Sequence, residues 1–361
     1  MRWKEQILDL TPYQPGKSID EVRREYGLEK IVKLASNENP FGCSKKALQA
    51  MKEFDKSFAI YPDGYATELR NAMAEHLNVK PTQLIFGNGS DNLIQMISRA
   101  LLGPGYNTVM SARTFSQYKH NAVIEGAEIR EVPDIDGAHD LEGMLEAIDE
   151  KTNVVWVCTP NNPTGKYISE DALISFLDRV PQDTLVVLDE AYREYVVAED
   201  YFDALELVEK YENLIALRTF SKIYGLASLR VGYGISNEKI IRALEPVREP
   251  FNVNALAQKA AIAALSDQEF VEESRKRNRE GLELYYQFCE EHGLSYYPSQ
   301  GNFILIDFQT DANEVFQFLL ERGYIVRSGK ALGFPTSIRV TVGSREEIEG
   351  LLEQMKAFLS R

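Results

Sequence analysis

Leu84-Ile85-Phe86-Gly87-Asn88-Gly89-Ser90-Asp91-Asn92-Leu93-Ile94-Gln95-Met96-Ile97 passes from a short apolar run, through a glycine-rich turn, into apolar residues at helical spacing. It reads as strand, turn, helix. Similar apolar runs stand at Thr108-Val109-Met110, Val154-Val155-Trp156-Val157, Leu185-Val186-Val187-Leu188 and Leu214-Ile215-Ala216-Leu217, with helical patterns between several of them. Continuous Val/Leu/Ile runs belong to strands covered on both faces, so an α/β fold with a mainly parallel sheet and right-handed crossovers is expected. After about residue 250 the texture changes. A charged helical pattern over 268–291 precedes strand candidates at 302–308 and 337–342, which predicts a smaller α+β unit. The first thirty residues, with Pro12, Pro15 and Gly16, read as an arm. There is no internal repeat or low-complexity tract.

With 361 residues, 44% of them hydrophobic, the chain can bury a large core and is expected to form two domains. A formal charge of -15 argues against a sequence-independent grip on nucleic acid or on an anionic membrane. Cys43, Cys158 and Cys289 have no CxxC spacing and cannot make a disulfide framework, which fits a reducing cytosol. Cys158, inside an apolar run, reads as core. The N-terminus carries charges at Arg2, Lys4, Glu5 and Asp9 and no signal-peptide run, and no segment is apolar for long enough to span a bilayer. A soluble, cytoplasmic protein is expected.

The chemistry concentrates after the predicted strands, where an open parallel sheet places its ligands. In Thr219-Phe220-Ser221-Lys222-Ile223-Tyr224-Gly225-Leu226-Ala227-Ser228-Leu229-Arg230 one lysine stands among small hydroxyls and an arginine. Thr219, Ser221 and Arg230 suit a phosphate, and Lys222 suits an amine that forms an imine beside it. Pyridoxal 5'-phosphate carries both an aldehyde and a phosphate. Gly89-Ser90-Asp91 opens a helix whose N–H groups can hold a phosphate, although a serine or aspartate there is also an ordinary N-cap. Pro160-Asn161-Asn162-Pro163-Thr164-Gly165 is either a plain turn or a turn that aims Asn162 at a phenolic oxygen of the cofactor. Asp189, at the end of an apolar run, is either a helix cap or the partner of a protonated pyridine nitrogen. Tyr192 can reach the same phenolic oxygen as Asn162. The glycines do not form the spaced dinucleotide fingerprint, and there is no Walker lysine, which disfavours nicotinamide dehydrogenases and NTPases. The acidic balance and the lack of a basic helix-turn-helix extension disfavour a silent cofactor-binding regulator.

Asn162-Pro163-Thr164-Gly165, Asp189-Glu190-Ala191-Tyr192 and Ser221-Lys222 through Arg230 resemble the signature set of fold type I pyridoxal-phosphate aminotransferases. Leu10-Thr11-Pro12-Tyr13, Leu34-Ala35-Ser36-Asn37-Glu38-Asn39-Pro40, Tyr61-Pro62-Asp63, Gly87 to Asp91 and Ile338-Arg339-Val340-Thr341-Val342-Gly343 extend the resemblance, over essentially the whole chain, to the histidinol-phosphate aminotransferase family. It implies an N-terminal arm (1–30), a large cofactor domain (31–246) with a seven-stranded sheet between helices, and a small C-terminal domain (247–361). It also implies a homodimer with shared active sites, small-molecule substrates, and no metal. The implied activity is ping-pong exchange between L-histidinol phosphate plus 2-oxoglutarate and imidazole-acetol phosphate plus L-glutamate, in histidine biosynthesis. An aromatic aminotransferase or a threonine-phosphate decarboxylase would keep the same cofactor residues.

Residue by residue, the resemblance makes Lys222 the internal aldimine and the proton carrier, Asp189 the pyridinium partner, and Asn162 and Tyr192 the donors to the phenolic oxygen. Gly89, Ser90, Asp91, Thr219, Ser221 and Arg230 form the phosphate cup, which Tyr61 joins from the other subunit. Phe115 stacks on the ring. Arg339 grips an anionic group, and Tyr13, Asn37 and Arg327 lie near the substrate. Arg327 would otherwise be a surface ion-pair residue and Arg339 a solvent-facing strand residue. The chain departs from the common pattern at Asn92, Arg113, Phe115 and Ser228, which bears on specificity more than on reaction type.

Overall fold

The computed structural model describes residues 1–12, 16–55 and 58–361. A short strand, β1 (Val32–Lys33), precedes seven strands that share one sheet. These are β2 (Leu84–Gly87), β3 (Asn107–Ser111), β4 (Glu128–Val132), β5 (Thr152–Cys158), β6 (Leu185–Asp189), β7 (Leu214–Thr219) and β8 (Gly232–Ser236). Their spatial order is β2-β8-β7-β6-β5-β3-β4. All pairs from β7 to β4 are parallel, whereas β8 runs against both of its neighbours. Val155, Val157, Val186 and Leu188 enter the core on one face, while Val154, Trp156, Val187 and Leu217 enter the core on the other. Alternate residues thus serve two cores, which is why each run is apolar throughout.

Two strands carry no such run. β4 is Glu-Ile-Arg-Glu-Val at the sheet edge, where only Val132 is buried. β8 is wholly buried, but Gly232 and Gly234 dilute its apolar signal. Gly232 answers a steric demand, since a Cβ there would fall 2.6 Å from Gly89 C and from Ser90 N. The turn after β2 therefore rests directly on β8.

The C-terminal part adds β9 (Ser295–Tyr296), β10 (Phe303–Asp307), β11 (Tyr324–Ile325), β12 (Arg327–Ser328) and β13 (Ser337–Thr341). Four of them form an antiparallel sheet in the order β12-β13-β10-β9, and β11 pairs with β1 in parallel. Ile304, Ile306, Ile338 and Val340 pack there with Leu282, Tyr285 and Cys289 of the helix Gln268–His292.

Sequence position and packing part company in four places. The helix Ala255–Leu265 follows residue 246, where the small domain was expected to begin, yet it buries Ala257, Ala260, Ala261 and Ala264 in the core of the large sheet. The helices Lys45–Lys52 and Thr67–Leu77 receive it. In the next helix Val271 belongs to that same core and Leu282 to the core of the small sheet. Conversely, Val32 and Leu34 pack in the small core. Within the expected arm, the helix Ile19–Tyr26 starts at a Ser18/Glu21 capping box and seats Val22 against Leu320 and Ile325. Among the described residues, no helix is long and apolar enough to cross a membrane.

Candidate active site

The C-terminal ends of β2, β5, β6 and β7 open on one edge of the sheet. Because β8 is antiparallel, its N-terminal end lies on that edge too, and Arg230, just before it, arrives beside residues that follow the other strands. Twelve residues expected from the sequence line one cavity of about 160 Å³: Asn37, Ser90, Asp91, Phe115, Asn162, Asp189, Tyr192, Thr219, Ser221, Lys222, Arg230 and Arg339.

One end of this cavity gathers a helix start, a guanidinium and side-chain hydroxyls. Gly89, at φ +77°, is the N-cap of the helix Ser90–Leu101, and no side chain caps that helix. Ser90 and Asp91 are its first helical residues and not its cap, so the backbone N–H groups of the first turn face the cavity end without a capping side chain. Asn88 N–H donates to Asn92 Oδ1 at 3.2 Å, which steadies the turn. Arg230 Nη1 donates to Ser221 Oγ at 3.2 Å, and Nη2 donates to Asn88 O at 3.2 Å and lies 3.7 Å from Asp91 Oδ2. A Cβ on Gly89 would come within 2.5 Å of Arg230 Nη2, so glycine is needed for this approach as well as for the positive φ. Ser221 N–H donates to Thr219 Oγ1 at 3.1 Å.

Asp189 is the last residue of β6 and is 3% exposed. Burial raises its carboxyl to about 6, against the pull of two hydrogen bonds, from Tyr118 Oη to Oδ2 at 2.6 Å and from Ala191 N–H to Oδ1 at 3.2 Å. It caps no helix. Tyr118 was not singled out from the sequence. It is buried in the helix Gln117–Glu125, stacks on Trp156 with ring centroids 4.8 Å apart, and meets Phe115 edge-on at 5.7 Å. The available signal was an aromatic one helical turn after Phe115.

Lys222 Nζ donates to Ser36 O at 3.4 Å and lies 5.5 Å from the centre of the Tyr192 ring. Burial, followed by the positive charge of Arg339, lowers its ammonium to about 8. Tyr192 Oη accepts from Asn37 Nδ2 at 2.9 Å, and burial holds the phenol above its ordinary value. Asn37, at φ +54°, is fixed in turn by Thr341, whose Oγ1 accepts from Asn37 N–H at 2.9 Å and donates to Asn37 Oδ1 at 3.1 Å. Arg339, only 7% exposed, does not face solvent. Its Nη1 donates to Asn162 Oδ1 at 2.6 Å and its Nη2 to Ala35 O at 2.7 Å. The neighbouring Asn161 accepts from Thr114 Oγ1 at 2.8 Å and donates to Arg113 O at 3.0 Å, so the 160–165 turn and the segment carrying Phe115 are tied together.

A larger cavity, of about 670 Å³, shares Ser36, Phe115, Asn162 and Arg339 with the first. β12 and its following turn supply Arg327, Ser328 and Lys330, and the 114–120 segment supplies Thr114, Gln117 and His120. Arg327 pairs in register with Arg339 across β12 and β13, so the two side chains leave the same face of the sheet. Tyr61 lines neither cavity. It is 78% exposed and stacks on Phe251 at 4.6 Å, with Phe58, Ile60 and Tyr65 also exposed nearby in sequence. Tyr13 lies outside the described residues.

Residues 29–355 match the family model described as aminotransferase class I and II. The chain is 63% identical to a histidinol-phosphate aminotransferase of Geobacillus sp. (strain WCH70), over 99% of this chain and 98% of that one. It is 61% identical to a protein of the same name from Bacillus subtilis (strain 168), over 98% of each. Among solved structures, a histidinol-phosphate aminotransferase from Sinorhizobium meliloti in complex with pyridoxal-5'-phosphate superposes with a TM-score of 0.91 at 28% identity, covering 99% of this chain and 98% of that one. By its fold, its motifs and these full-length matches, the chain belongs to the class I and II aminotransferase family.

Proposed function

We propose that this chain exchanges an amino group between L-histidinol phosphate and 2-oxoglutarate, forming imidazole-acetol phosphate and L-glutamate in histidine biosynthesis, with pyridoxal 5'-phosphate as cofactor. The observation that carries the substrate is the register of Arg327 against Arg339 on the wall of the larger cavity. Two arginines paired across neighbouring strands on one face can offer their planar forks to a single dianion. The 114–120 segment offers the aromatic face of Phe115 and the hydrogen-bonding groups of Thr114, Gln117 and His120, which suit an imidazole. An anionic arm and an imidazole arm are what histidinol phosphate presents. The same arginine forks accept a carboxylate, so 2-oxoglutarate can use them in the other half of the cycle. The names of the 58–63% identical relatives agree with this reading.

The residues of the smaller cavity fit the cofactor. A helix start without a capping side chain, Ser90, Ser221 and Arg230 would hold its phosphate, and the buried Asp189 would face its ring nitrogen. Tyr192 and Asn162 would donate to its phenolic oxygen, and Phe115 would cover the ring. Bound, the cofactor supplies an aldehyde that captures amines and a ring that spreads the electron pair left when a carbon–hydrogen bond breaks. Asp189 as carboxylate would favour the protonated form of that ring nitrogen. Lys222, whose ammonium is lowered to about 8, would hold and move the proton of the substrate carbon at Nζ. Arg339, held by Asn162 and Ala35, orients the substrate.

The division of labour we infer has 31–246 holding the cofactor, 247–361 supplying the anion clamp and 1–30 serving as an arm, with the helix Ala255–Leu265 belonging by its packing to the cofactor side. We also infer that a second copy of the chain covers the exposed Phe58, Ile60 and Tyr61, bringing Tyr61 to the partner's phosphate cup. Light scattering is expected to give a dimer, and a monomer at working concentration would remove this part of the reading. The three unpaired cysteines suit the cytoplasm.

Turnover with 2-oxoglutarate is expected to be faster for histidinol phosphate than for phenylalanine. His120→Ala should raise KM for histidinol phosphate by about tenfold, the value of one buried hydrogen bond, while leaving the glutamate half-reaction within about twofold. Faster use of phenylalanine would replace this reading by an aromatic aminotransferase.

A further inference from the structure

We propose that Arg113 is a positioning residue that clamps together two walls of the substrate cavity, the 111–117 segment that carries Phe115 and the 329–334 turn that carries Lys330. Its side chain lines neither of the two cavities described above. Instead it projects into a separate crevice between the large and small sheets, beside Tyr297, Leu305 and Phe334. There the guanidinium is held on two sides.

Its edge forms a two-pronged pair with Asp134, Nε donating to Oδ1 and Nη2 to Oδ2 at 2.8 Å. The Asp134 side chain is 2% exposed, and its Oδ2 also accepts from Gly137 N–H at 2.9 Å, so the carboxylate is a fixed anchor two residues beyond β4. Its Cζ lies over the Phe334 ring, 4.3 Å from the ring centre, and that ring is 5% exposed and belongs to the small-sheet side. The chain passes close over the aliphatic stem: a Cβ on Gly333 would fall 3.0 Å from Arg113 Cγ, and Gly333 has φ +82°. Phe334 N–H donates to Gly329 O at 2.9 Å and closes the turn whose Lys330, Ala331 and Leu332 line the larger cavity.

An edge-bound carboxylate and a face-bound ring together require a flat, charged group. Lysine satisfies the charge alone. The backbone of Arg113 is equally constrained, since its carbonyl accepts from Asn161 Nδ2 and the next residue, Thr114, donates to Asn161 Oδ1. One residue thus joins the turn beside Asn162, the segment bearing Phe115 and the small-sheet turn bearing Lys330. The separation of the anion-binding wall from the 114–120 wall follows from that clamp. The cavity's role as substrate site rests on the function proposed above.

Two conservative variants test the clamp from its two sides. Arg113→Lys keeps a charge beside Asp134 and loses the stacked plane; Phe334→Leu keeps apolar volume and loses the ring. Each is expected to raise KM for histidinol phosphate about fivefold with kcat within about twofold, the scale of one partly desolvated cation–π contact. The double variant should be no worse than either single one, because both break the same contact. Hydrogen exchange of the 329–334 amides in the ligand-free protein should quicken in each variant, with the β5 and β6 amides unchanged. KM values equal to wild type, additive KM effects in the double variant, or unaltered exchange in 329–334 would overturn the proposal. Wild-type protein that does not turn over histidinol phosphate would instead overturn the function on which it rests, and the exchange measurement would still decide the clamp.

Discussion

Lys222→Ala is expected to lower kcat/KM for both half-reactions by about 10⁴-fold or more, the upper end of what one positioned acid–base group contributes. No other described residue lining the cavity can replace it. Arg339 and Arg230 are donors already engaged with Asn162, Ala35, Ser221 and Asn88, and Tyr192 is held above its ordinary pKa by burial and already accepts from Asn37. The depressed lysine value also gives a sign for pH. Only the neutral amine reacts with an aldehyde, so the rate at which ligand-free protein takes up pyridoxal 5'-phosphate should climb about tenfold per pH unit below about 8 and level off above it. Stopped-flow absorbance would follow uptake, and separate single-turnover assays with glutamate and histidinol phosphate would follow the chemistry. A variant that kept both rates would remove Lys222 from the centre of the site.

Asp189→Asn should push stability and activity in opposite directions. The folded state holds this carboxyl at about 6 against 3.8 for a free one, so the buried charge costs the ligand-free fold up to about 3 kcal/mol at pH 7. The sign follows from the raised value. The cost is complete above about pH 6, shrinks as pH falls, and vanishes below the unfolded pKa, where both states are protonated. An asparagine is neutral at every pH, can still accept from Ala191 N–H, and can donate to the Tyr118 hydroxyl oxygen. Ligand-free Asp189→Asn should therefore melt higher than wild type at pH 7, with the gain fading by pH 4. Turnover should fall by about 10²- to 10³-fold, the loss expected when one preorganised charge contact is removed. A lower melting temperature at pH 7 would show that the carboxylate is stabilising in the empty fold, and unchanged turnover would take Asp189 out of the reaction.

The parts of the fold that could be read beforehand are those where one physical demand acts alone. β5, β6 and β7 are covered on both faces, so Val154 to Val157, Leu185 to Leu188 and Leu214 to Leu217 announce themselves. β4 needs few apolar residues at the sheet edge, and β8 gives up side chains at Gly232 so that the turn at Gly89 can lie on it. Both were therefore silent. In the candidate site, Asp189 and Lys222 were legible because a carboxylate and an amine are unusual at or just after the end of a buried strand, and Arg230 because it closes the motif that Lys222 opens. Tyr118 was not, because its hydroxyl meets Asp189 only once a helix has been laid against the sheet, and no local pattern encodes that meeting. The opposition of Arg327 and Arg339 likewise depends on strand register, which a one-residue slip would reverse. The boundary at 246 followed a change in texture, whereas the alanines from 257 to 264 are small for a reason texture does not reveal: they let a helix sit tightly on two others.

That alanine helix, and the long helix after it, decide how the molecule can be taken apart. Residues 268–292 form one uninterrupted rod with Val271 planted in one core and Leu282 in the other, while β1, from the other end of the chain, is woven into the far side beside β11. A cut after 246 would strip the larger piece of its alanine helix and leave the smaller piece without Val32 and Leu34, so each fragment would carry a bare apolar face. The protein is consequently a poor candidate for division into two exchangeable modules. Swapping substrate preference between relatives calls for grafting the short segments around 113–120 and 327–334 onto an intact chain.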